Sequence, residues 1–281
     1  MGTVSEIAST YTFGKDITVN RLGYGSMQLA GFGVFGEVED RENAIAVLRA
    51  AVEAGVNFID TAEAYGPKFN ESLIHDALHP YKKGLFIATK GGFNRPGPNV
   101  WVPNGNPDYI QSNIDGSLER LGVNQIDLWQ LHRIDPNIPV KQTFKPVIKA
   151  VKEGKIKYVG LSEVSVKQIK EVSDILPIVS VQNLYNLGNR QWEDVLDYTT
   201  KNGLAFIPWF PLASGPHKLA DKIDKIAKEH QATTAQIALA WLLKRASNIL
   251  LIPGTKSIKH LQENLGAASI ELTDAEFEAL S

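Results

Sequence analysis

Short apolar runs alternate with longer amphipathic runs along nearly the whole chain. The run at 56–60, VNFID, has the β-branched and aromatic residues typical of a strand, and the run at 70–78 after it has helical periodicity. The run at 126–131, IDLWQL, is followed in the same way by 140–154. The predicted strands lie at 22–29, 56–60, 85–89, 126–131, 156–161, 178–183, 204–210 and 249–254. The predicted helices lie at 41–55, 70–78, 106–122, 140–154, 165–175, 189–203, 218–246 (a double helical stretch) and 258–268.

These eight strand–helix units recur at roughly 30 residues each, which is the size of a repeating strand–helix–strand unit. The strand runs are almost continuously apolar, as in parallel strands that helices cover on the outside. Residues 9–20, STYTFGKDITVN, resemble a hairpin, and no Pro/Gly/Ser-rich linker divides the chain. The pattern predicts a single α/β domain over 1–281, a (β/α)8 TIM barrel with an N-terminal β-hairpin as a plug. A doubly wound parallel sheet is the structural alternative.

Local signals define several element ends. Asp40 is placed to cap the helix at 41–55, and Asn106 is placed to cap the helix that follows it. The segment 91–105, GGFNRPGPNVWVPNG, shows no regular periodicity. We therefore expect it to form a long loop over one end of the barrel.

The segment 31–36, GFGVFG, matches the glycine spacing of a dinucleotide-binding turn. A Rossmann turn needs its third glycine at the start of a helix, where the pyrophosphate meets free backbone N–H groups. Here EVED separates Gly36 from the best helix start, and Phe32 and Phe35 occupy the variable positions. We interpret this segment as a flexible loop at the mouth of the barrel whose aromatic side chains contact substrate. Simple turn glycines are the alternative interpretation.

Composition excludes several classes of function. The 281 residues carry a formal net charge of −2 without a block of like charge, which argues against nucleic acid or an anionic membrane as a partner. The absence of cysteine excludes disulfides and thiolate metal sites. The N-terminal MGTVSEIAST lacks a signal-peptide pattern, and no apolar run approaches the ~18 residues of a membrane span. We expect a cytoplasmic protein.

Four polar side chains follow three consecutive predicted strands. Asp60 ends the second strand and Tyr65 follows it, Lys90 follows the third strand, and His132 follows the fourth. Because active sites of barrels lie at the carboxyl ends of the strands, we expect these groups to meet. Each one alone has a structural explanation, as a helix cap, a loop aromatic, a surface lysine or a core histidine.

Together these groups suit proton transfer to a carbonyl oxygen. A tyrosine hydroxyl has a pKa near 10, and a neighbouring ammonium lowers that pKa. An aspartate can hold the lysine, and a histidine can hydrogen-bond the carbonyl oxygen as negative charge develops on it. No side chain supplies a hydride, so reduction of the carbonyl requires a cofactor.

Three stretches closely resemble the aldo-keto reductases. They are GVNFIDTAEAYG at 55–66, ATK at 88–90 and LWQLH at 128–132, and the resemblance runs in the same order over about residues 10–270. It implies a (β/α)8 barrel and NADPH-dependent carbonyl reduction by a tetrad that falls on Asp60, Tyr65, Lys90 and His132. In that scheme the tyrosine is the general acid and the lysine tunes it. The aspartate holds the lysine, and the histidine orients the carbonyl.

The late strands resemble the family's cofactor-binding segments, at 160–164, 181–186, 208–215 and 252–264. The resemblance implies that Ser162 and Gln182 bind the carboxamide and that Trp209 stacks on the nicotinamide. Lys256 then supplies a positive charge for a 2′-phosphate before a helix N-terminus, which favours NADPH. The residues assigned to the cofactor are Gly25, Ser26, Met27, Asp60, Ser162, Gln182, Trp209, Phe210, Pro211, Leu212, Ser214, Gly215, Gly254, Thr255, Lys256, Ser257, His260, Glu263 and Asn264.

The chain departs from the family pattern at three places. Glu163 stands where many members have asparagine, and Trp209 stands where many stack a tyrosine. Many members also have an arginine near the position of His260, whereas this chain offers Lys256 and Lys259. The cofactor contacts are therefore less closely specified than the fold.

The expected substrate pocket is an aromatic box with one cation, which suits a flat aromatic or anionic aldehyde. Its assigned residues are Tyr24, Phe32, Phe93, Trp101 and Arg133. The stretches NRLGYGSMQLAGFGVFG, VQNLYN and ILLIPGTKSIKHLQEN resemble the pyridoxal reductase branch of the family. That resemblance implies reduction of pyridoxal to pyridoxine, with a small-molecule carbonyl compound as the binding partner.

Several other functions stay open. One is a broad-specificity aldehyde reductase for detoxification, and another is a non-enzymatic NADP(H)-sensing subunit. A Schiff-base aldolase that uses Lys90 is disfavoured, because a neighbouring aspartate keeps a lysine charged. No H-x-H or comparable ligand cluster stands at a strand end, so we predict no metal site.

Overall fold

Seven parallel strands curl into one sheet, in the order Ala205–Phe206, Ser180–Gln182, Ile156–Ser162, Ile126–Leu131, Phe86–Gly91, Phe58–Asp60 and Tyr24–Gly25. The computed structural model describes residues 9–212 and 217–281. The strands, in chain order, are β1 (Thr10–Phe13), β2 (Ile17–Asn20), β3 (Tyr24–Gly25), β4 (Phe58–Asp60), β5 (Phe86–Gly91), β6 (Phe93–Gly97), β7 (Val100–Pro103), β8 (Ile126–Leu131), β9 (Ile156–Ser162), β10 (Ser180–Gln182) and β11 (Ala205–Phe206).

The segment 249–252 joins the two edges of this sheet. It forms parallel bridges between Leu251 and Leu22 on one side and between Ile249 and Phe206 on the other. The Gly23 N–H donates to the Leu251 carbonyl at 2.8 Å, and the Leu251 N–H donates to the Arg21 carbonyl at 2.7 Å. The segment is the eighth strand reduced to isolated bridges, so the predicted barrel is confirmed and the doubly wound alternative is wrong.

Helices cover the outside of the barrel. They are α1 (Arg41–Glu53), α2 (Phe69–Leu78), α3 (Pro107–Leu121), α4 (Val140–Thr143), α5 (Lys145–Lys152), α6 (Val166–Ser173), α7 (Glu193–Lys201), α8 (His217–Glu229), α9 (Thr234–Arg245), α10 (Ile258–Gly266) and α11 (Asp274–Leu280). The predicted caps are confirmed, since Asp40 accepts from the Asn43 N–H and Asn106 accepts from the Asp108 N–H. The helix predicted at 140–154 is divided at Phe144, because Pro146 has no N–H to continue the helical hydrogen bonds.

The hairpin of β1 and β2 closes the end of the barrel where the strands begin. Its antiparallel register pairs Thr10 with Asn20. The Phe13 ring stacks on Phe86, the first residue of β5, with ring centroids 4.8 Å apart. Phe13 and Val19 belong to the cluster that fills the barrel interior. The predicted plug is therefore confirmed, and the opposite end of the barrel stays open for a site.

The segment 91–105 is not the irregular loop that its sequence predicts. Strand β6 pairs antiparallel with β7, with Phe93 opposite Pro103, so the segment forms a second hairpin. The turn between them contains Asn99 in a left-handed conformation, at φ +57°. Burial alternates along VWVP in β7, but the surrounding prolines and glycines obscure this period in the sequence. The hairpin stands over the open end of the barrel.

Candidate active site

Lys90 connects the predicted catalytic residues at the open end of the barrel. The side chain is fully buried, and its ammonium donates to Asp60 Oδ1 at 2.5 Å, to the Thr61 carbonyl at 2.9 Å and to the Tyr65 hydroxyl at 3.0 Å. An ammonium has three N–H donors, so each has an acceptor. The strand register brings the groups together, because Asp60 pairs with Ala88 and Lys90 lies two residues further along the same face.

The second carboxylate oxygen of Asp60 is also fixed. Gln182 Nε2 donates to Asp60 Oδ2 at 2.9 Å, and Gln130 Nε2 faces the same oxygen at 3.3 Å. A buried ion pair is retained only where its remaining lone pairs are satisfied in this way. Sequence reasoning missed Gln130, although a lone amide within the apolar strand LWQLH is a signal that could have identified it. The two amides hold the carboxylate in the orientation that Lys90 requires.

The electrostatics of the site favour a charged lysine beside a protonated tyrosine. Burial opposes the charge on Lys90, but Asp60 and Tyr65 raise the pKa of its ammonium overall. Burial raises the pKa of Tyr65 and outweighs the opposite effect of Lys90. The neighbouring ammonium alone predicts a lowered pKa for this hydroxyl, and that prediction is wrong because burial of the ring raises the pKa overall. Tyr65 therefore keeps its proton at neutral pH, as the predicted general acid must.

His132 stands beside Tyr65 as a neutral imidazole. The two ring centroids lie 5.9 Å apart, and the histidine is 6% exposed. Burial lowers the pKa of His132 well below 6.5, and the positive charges of Lys90, Arg133 and Arg95 lower it further. Its Nδ1 is buried without a hydrogen-bond partner among the described residues. A neutral histidine in this position can hydrogen-bond a carbonyl oxygen without delivering a charge.

We expect carbonyl reduction to be nearly independent of pH between about 6 and 8. The lowered pKa leaves His132 deprotonated throughout this range, and the raised pKa leaves Tyr65 protonated. If Tyr65 is the predicted acid, the rate of reduction falls only in alkaline solution, whereas oxidation of the alcohol rises there because that direction uses the deprotonated tyrosine. The measurement is kcat against pH in both directions. An inflection near pH 6.5 that disappears in His132→Asn would contradict this assignment.

A cavity of about 900 Å³ opens above these residues. The hairpin of β6 and β7 supplies Phe93 and Trp101, whose rings lie 4.6 and 6.1 Å from the His132 ring. The cavity is lined by Gly25, Met27, Gln28, Val34, Asp60, Tyr65, Phe93, Trp101, Pro103, His132, Arg133, Ile134, Ser162, Gln182, Trp209, Phe210, Pro211, Leu212, Ile252 and Gly254. Aromatic walls over a proton donor suit a flat carbonyl compound.

Two residues assigned to the substrate pocket lie outside this lining. Phe32 is 86% exposed on a 3₁₀ turn, so its ring points to solvent, and Val34 of the same turn lines the cavity instead. Tyr24 is fully buried in the barrel wall, where its hydroxyl donates to the Thr255 carbonyl at 2.6 Å. Trp101, Phe93 and Arg133 do line the cavity, as predicted.

Arg95 holds the turn at 31–36 to the second hairpin. The next helix, α1, begins only at Arg41. The guanidinium of Arg95 donates to the carbonyls of Gly33 at 2.9 Å and Val34 at 3.0 Å, and it stacks 3.4 Å from the Trp101 ring centroid. The GFGVFG segment is therefore a tethered turn at the mouth of the cavity. It lacks the helix N-terminus that a Rossmann fingerprint needs.

Most of the residues assigned to the cofactor line the same cavity or lie at the start of α10. Ser26 lies beneath it, where its hydroxyl donates to the Asp60 carbonyl at 2.9 Å. Ser214 and Gly215 lie outside the described residues. Gln28 lines the cavity and was not predicted. The assigned residues that line the cavity are Gly25, Met27, Asp60, Ser162, Gln182, Trp209, Phe210, Pro211, Leu212 and Gly254.

Two glycines bring the first and last barrel strands into close contact at this cavity. A Cβ at Gly25 would lie 2.5 Å from the Ile252 carbonyl oxygen, and one at Gly254 would lie 2.6 Å from the Gly25 carbonyl oxygen. Only glycine fits this approach. The resulting wall of backbone atoms leads from the predicted catalytic residues toward α10.

The start of α10 offers donors for an anion. Ser257 caps the helix by accepting from the His260 N–H at 3.3 Å, and the Thr255 hydroxyl accepts from the Ser257 N–H at 3.0 Å. Lys256 is exposed beside these groups. The free N–H groups of the first helical turn and the lysine charge suit a phosphate. The remaining residues of the cofactor assignment occupy this turn and the next one: His260, Glu263 and Asn264.

Within residues 9–212 and 217–281, no three histidine or acidic side chains come together as a metal site. In the same ranges, no helix is both long and apolar enough to cross a membrane.

Comparisons with known proteins bear on the same residues. The family model described as aldo/keto reductase family matches residues 21–281. The chain is 40% identical over 273 residues to pyridoxine 4-dehydrogenase of Escherichia coli (strain K12), with 95% of each chain covered. It is 50% identical over 266 residues to an uncharacterized oxidoreductase, C215.11c, of Schizosaccharomyces pombe, with 94% of this chain and 87% of that one covered. An aldo-keto reductase from Klebsiella pneumoniae in complex with NADPH has a TM-score of 0.82 at 25% identity, covering 98% of this chain and 94% of that one.

Proposed function

The chain belongs to the aldo/keto reductase family and is an NADP-dependent oxidoreductase, and from that premise we propose that it reduces pyridoxal to pyridoxine with Tyr65 as the general acid. One observation carries the proposal. The buried ammonium of Lys90 contacts both Asp60 and the Tyr65 hydroxyl at the base of a cavity with aromatic walls.

The proton chemistry follows from the charges at the site. Bound NADPH supplies the hydride for the carbonyl carbon. Tyr65 donates its proton to the carbonyl oxygen as negative charge develops there, and the ammonium of Lys90 stabilises the phenolate that remains. His132 hydrogen-bonds the same oxygen and holds it toward Tyr65. Solvent then returns a proton to the tyrosine, so one hydride and one proton are added to each carbonyl group.

The residues that would hold the cofactor lie along one wall of the cavity. Trp209 offers an apolar face for the nicotinamide, and Ser162 and Gln182 offer polar groups for its carboxamide. The glycine wall at Gly25 leaves room for a close approach. Lys256 and the first turn of α10 would bind the 2′-phosphate, and this contact favours NADPH over NADH.

The cavity supports pyridoxal as the substrate. Pyridoxal is a flat aromatic aldehyde with an acidic ring hydroxyl, and the cavity combines the rings of Phe93 and Trp101 with the guanidinium of Arg133. The Arg133 carbon Cζ lies 5.5 Å from the Phe93 ring centroid, and its Nη1 donates to Ser162 Oγ at 2.9 Å. A ring held against Phe93 therefore has a cation within reach. The relative named pyridoxine 4-dehydrogenase supports the same substrate.

We expect kcat/KM for pyridoxal to exceed that for benzaldehyde by at least about tenfold, because benzaldehyde lacks the polar groups that Arg133 would bind. In Arg133→Met this preference should fall to less than about threefold, with benzaldehyde turnover retained. Both rates are measured as NADPH oxidation by the purified protein. Equal rates with both aldehydes would instead indicate a broad-specificity aldehyde reductase. NADPH binding without oxidation by any aldehyde would favour an NADP(H)-sensing role.

A further inference from the structure

Glu163 follows β9 at the open end of the barrel, and its carboxylate connects three loops. Its Oε1 accepts from the Trp209 Nε1–H at 2.7 Å and from the Leu184 N–H at 2.5 Å. Its Oε2 accepts from the Trp192 Nε1–H at 3.3 Å. These donors belong to the segments that follow β10 and β11 and to the residue before α7. One side chain therefore links the ends of three consecutive strands.

The backbone of Glu163 has a conformation that side chains rarely adopt. Its φ is +53°, in the left-handed region, and its N–H donates to the Gln182 carbonyl at 3.0 Å. A non-glycine residue is held in this region only where its surroundings determine it, and such positions cluster at functional sites. The conformation turns the carboxylate toward the donors of the neighbouring loops.

The three donors around position 163 require a side chain that accepts hydrogen bonds. Two indole N–H groups and one backbone N–H converge on it. A carboxylate only accepts hydrogen bonds, whereas an amide would place an NH₂ group against at least one of these donors. Hydrogen bonds to a charged acceptor are also stronger than those to a neutral one. Glutamine at position 163 could keep its carbonyl oxygen toward Trp209 and Leu184 and would oppose only Trp192 with its NH₂ group. Methionine at this position would remove the acceptor from all three donors.

Trp209 is the member of this network that lines the cavity. The indole N–H is the only hydrogen-bonding group of a tryptophan side chain, so an acceptor fixed at Nε1 sets the plane of the ring. A ring held in one orientation loses less conformational entropy when a ligand stacks on it. The Glu163 contact thus acts on the face that the proposed function assigns to the nicotinamide.

We propose that Glu163 is a positioning residue that fixes the indole plane of Trp209 for stacking on the nicotinamide ring. The inference rests on the proposed contact between Trp209 and the cofactor. Glu163 would then act on the nicotinamide half of the cofactor and not on its phosphate half, which the proposed function places toward Lys256. Affinity for the whole cofactor and affinity for its adenosine half should then respond differently to a substitution at Glu163.

The test compares the Kd for NADPH with the Kd for adenosine 2′,5′-bisphosphate, which lacks the nicotinamide. In Glu163→Met we expect the NADPH Kd to rise about tenfold while the Kd for the fragment changes less than about twofold. Glu171→Met, at an exposed position on α6, is the matched control and should change neither Kd. Equal weakening of both ligands, or no weakening of either, would overturn the proposal.

A second variant tests whether Glu163 acts through the indole N–H. Trp209→Phe keeps an aromatic face but has no N–H, so adding Glu163→Met to it should raise the NADPH Kd by less than about a further twofold. A full tenfold effect in that background would assign the role to another contact, such as the nearby charge of Arg133, and would overturn the proposal. Trp209→Phe alone should weaken NADPH selectively without altering the backbone at Glu163. Absence of NADPH binding by the wild-type protein would instead refute the proposed function itself.

Discussion

Replacing Tyr65 with phenylalanine is expected to lower kcat for aldehyde reduction by about 10³-fold, which is within the range of general acid catalysis. The Kd for NADPH should stay within about twofold of the wild-type value, because the hydroxyl contacts Lys90 and not the assigned cofactor residues. Phenylalanine keeps the ring that packs edge-on against Trp101 and His132, with centroids at 6.4 and 5.9 Å. The substitution therefore removes the proton donor and leaves the cavity wall in place.

Turnover of Tyr65→Phe is measured as NADPH oxidation, and binding is measured by quenching of protein fluorescence. Tyr109→Phe is the control, since that hydroxyl donates to the Phe93 carbonyl at 2.7 Å away from the tetrad. It should retain wild-type kcat within about threefold. Turnover of Tyr65→Phe within tenfold of the wild-type rate would assign the proton to another group.

Replacing Lys90 with methionine is expected to remove both activity and stability. Methionine matches the length of the side chain without the ammonium, so kcat should fall by about 10³-fold or more. The carboxylate of Asp60 would stay buried with only the amides of Gln130 and Gln182 as donors. Loss of one partner from a buried ion pair lowers the free energy of unfolding by about 3–5 kcal/mol.

Denaturant unfolding and steady-state kinetics separate these two effects. In the double variant Asp60→Asn/Lys90→Met, the uncompensated charge is gone, so stability should recover in part while activity stays absent. Lys152→Met, at an exposed position on α5, should alter the free energy of unfolding by no more than about 0.5 kcal/mol. An active Lys90→Met variant would contradict the role of the ammonium. A variant as stable as the wild type would contradict the burial of the ion pair.

The barrel and the meeting of Asp60, Tyr65, Lys90 and His132 at its open end follow from two simple rules. The alternation of apolar and amphipathic runs sets the architecture, and the carboxyl ends of parallel strands meet at one face. These rules bring Asp60, Lys90 and Tyr65 together before any contact is known. The position of the plug followed from the hairpin signal before β3.

Other features depend on tertiary contacts that a linear pattern does not contain. The direction of the Tyr24 side chain is set within a strand of two residues, which is too short to show an alternation. The second hairpin includes Pro96 and Pro103, which weaken its strand signal. The pKa of Tyr65 depends on how deeply the ring is buried, and that burial outweighs the lysine next to it.

Glu163 and Trp209 both differ from the family pattern, and the sequence alone does not show that the two differences are related. Taken one at a time, each substitution only weakens the resemblance of its segment to the family pattern. In the structure the Trp209 Nε1–H donates to Glu163 Oε1 at 2.7 Å, so each of the two residues supplies the hydrogen-bond partner of the other. Sequence positions 46 residues apart give no sign of that contact.

The central claim is tested most directly by incubating the purified protein with NADPH and pyridoxal and measuring cofactor and product together. We predict saturable oxidation of NADPH with one pyridoxine formed for each NADPH consumed, and loss of both signals in Tyr65→Phe. NADPH that binds but is not oxidised, with pyridoxal or with any other aldehyde, would contradict the assignment of this site as a carbonyl reductase.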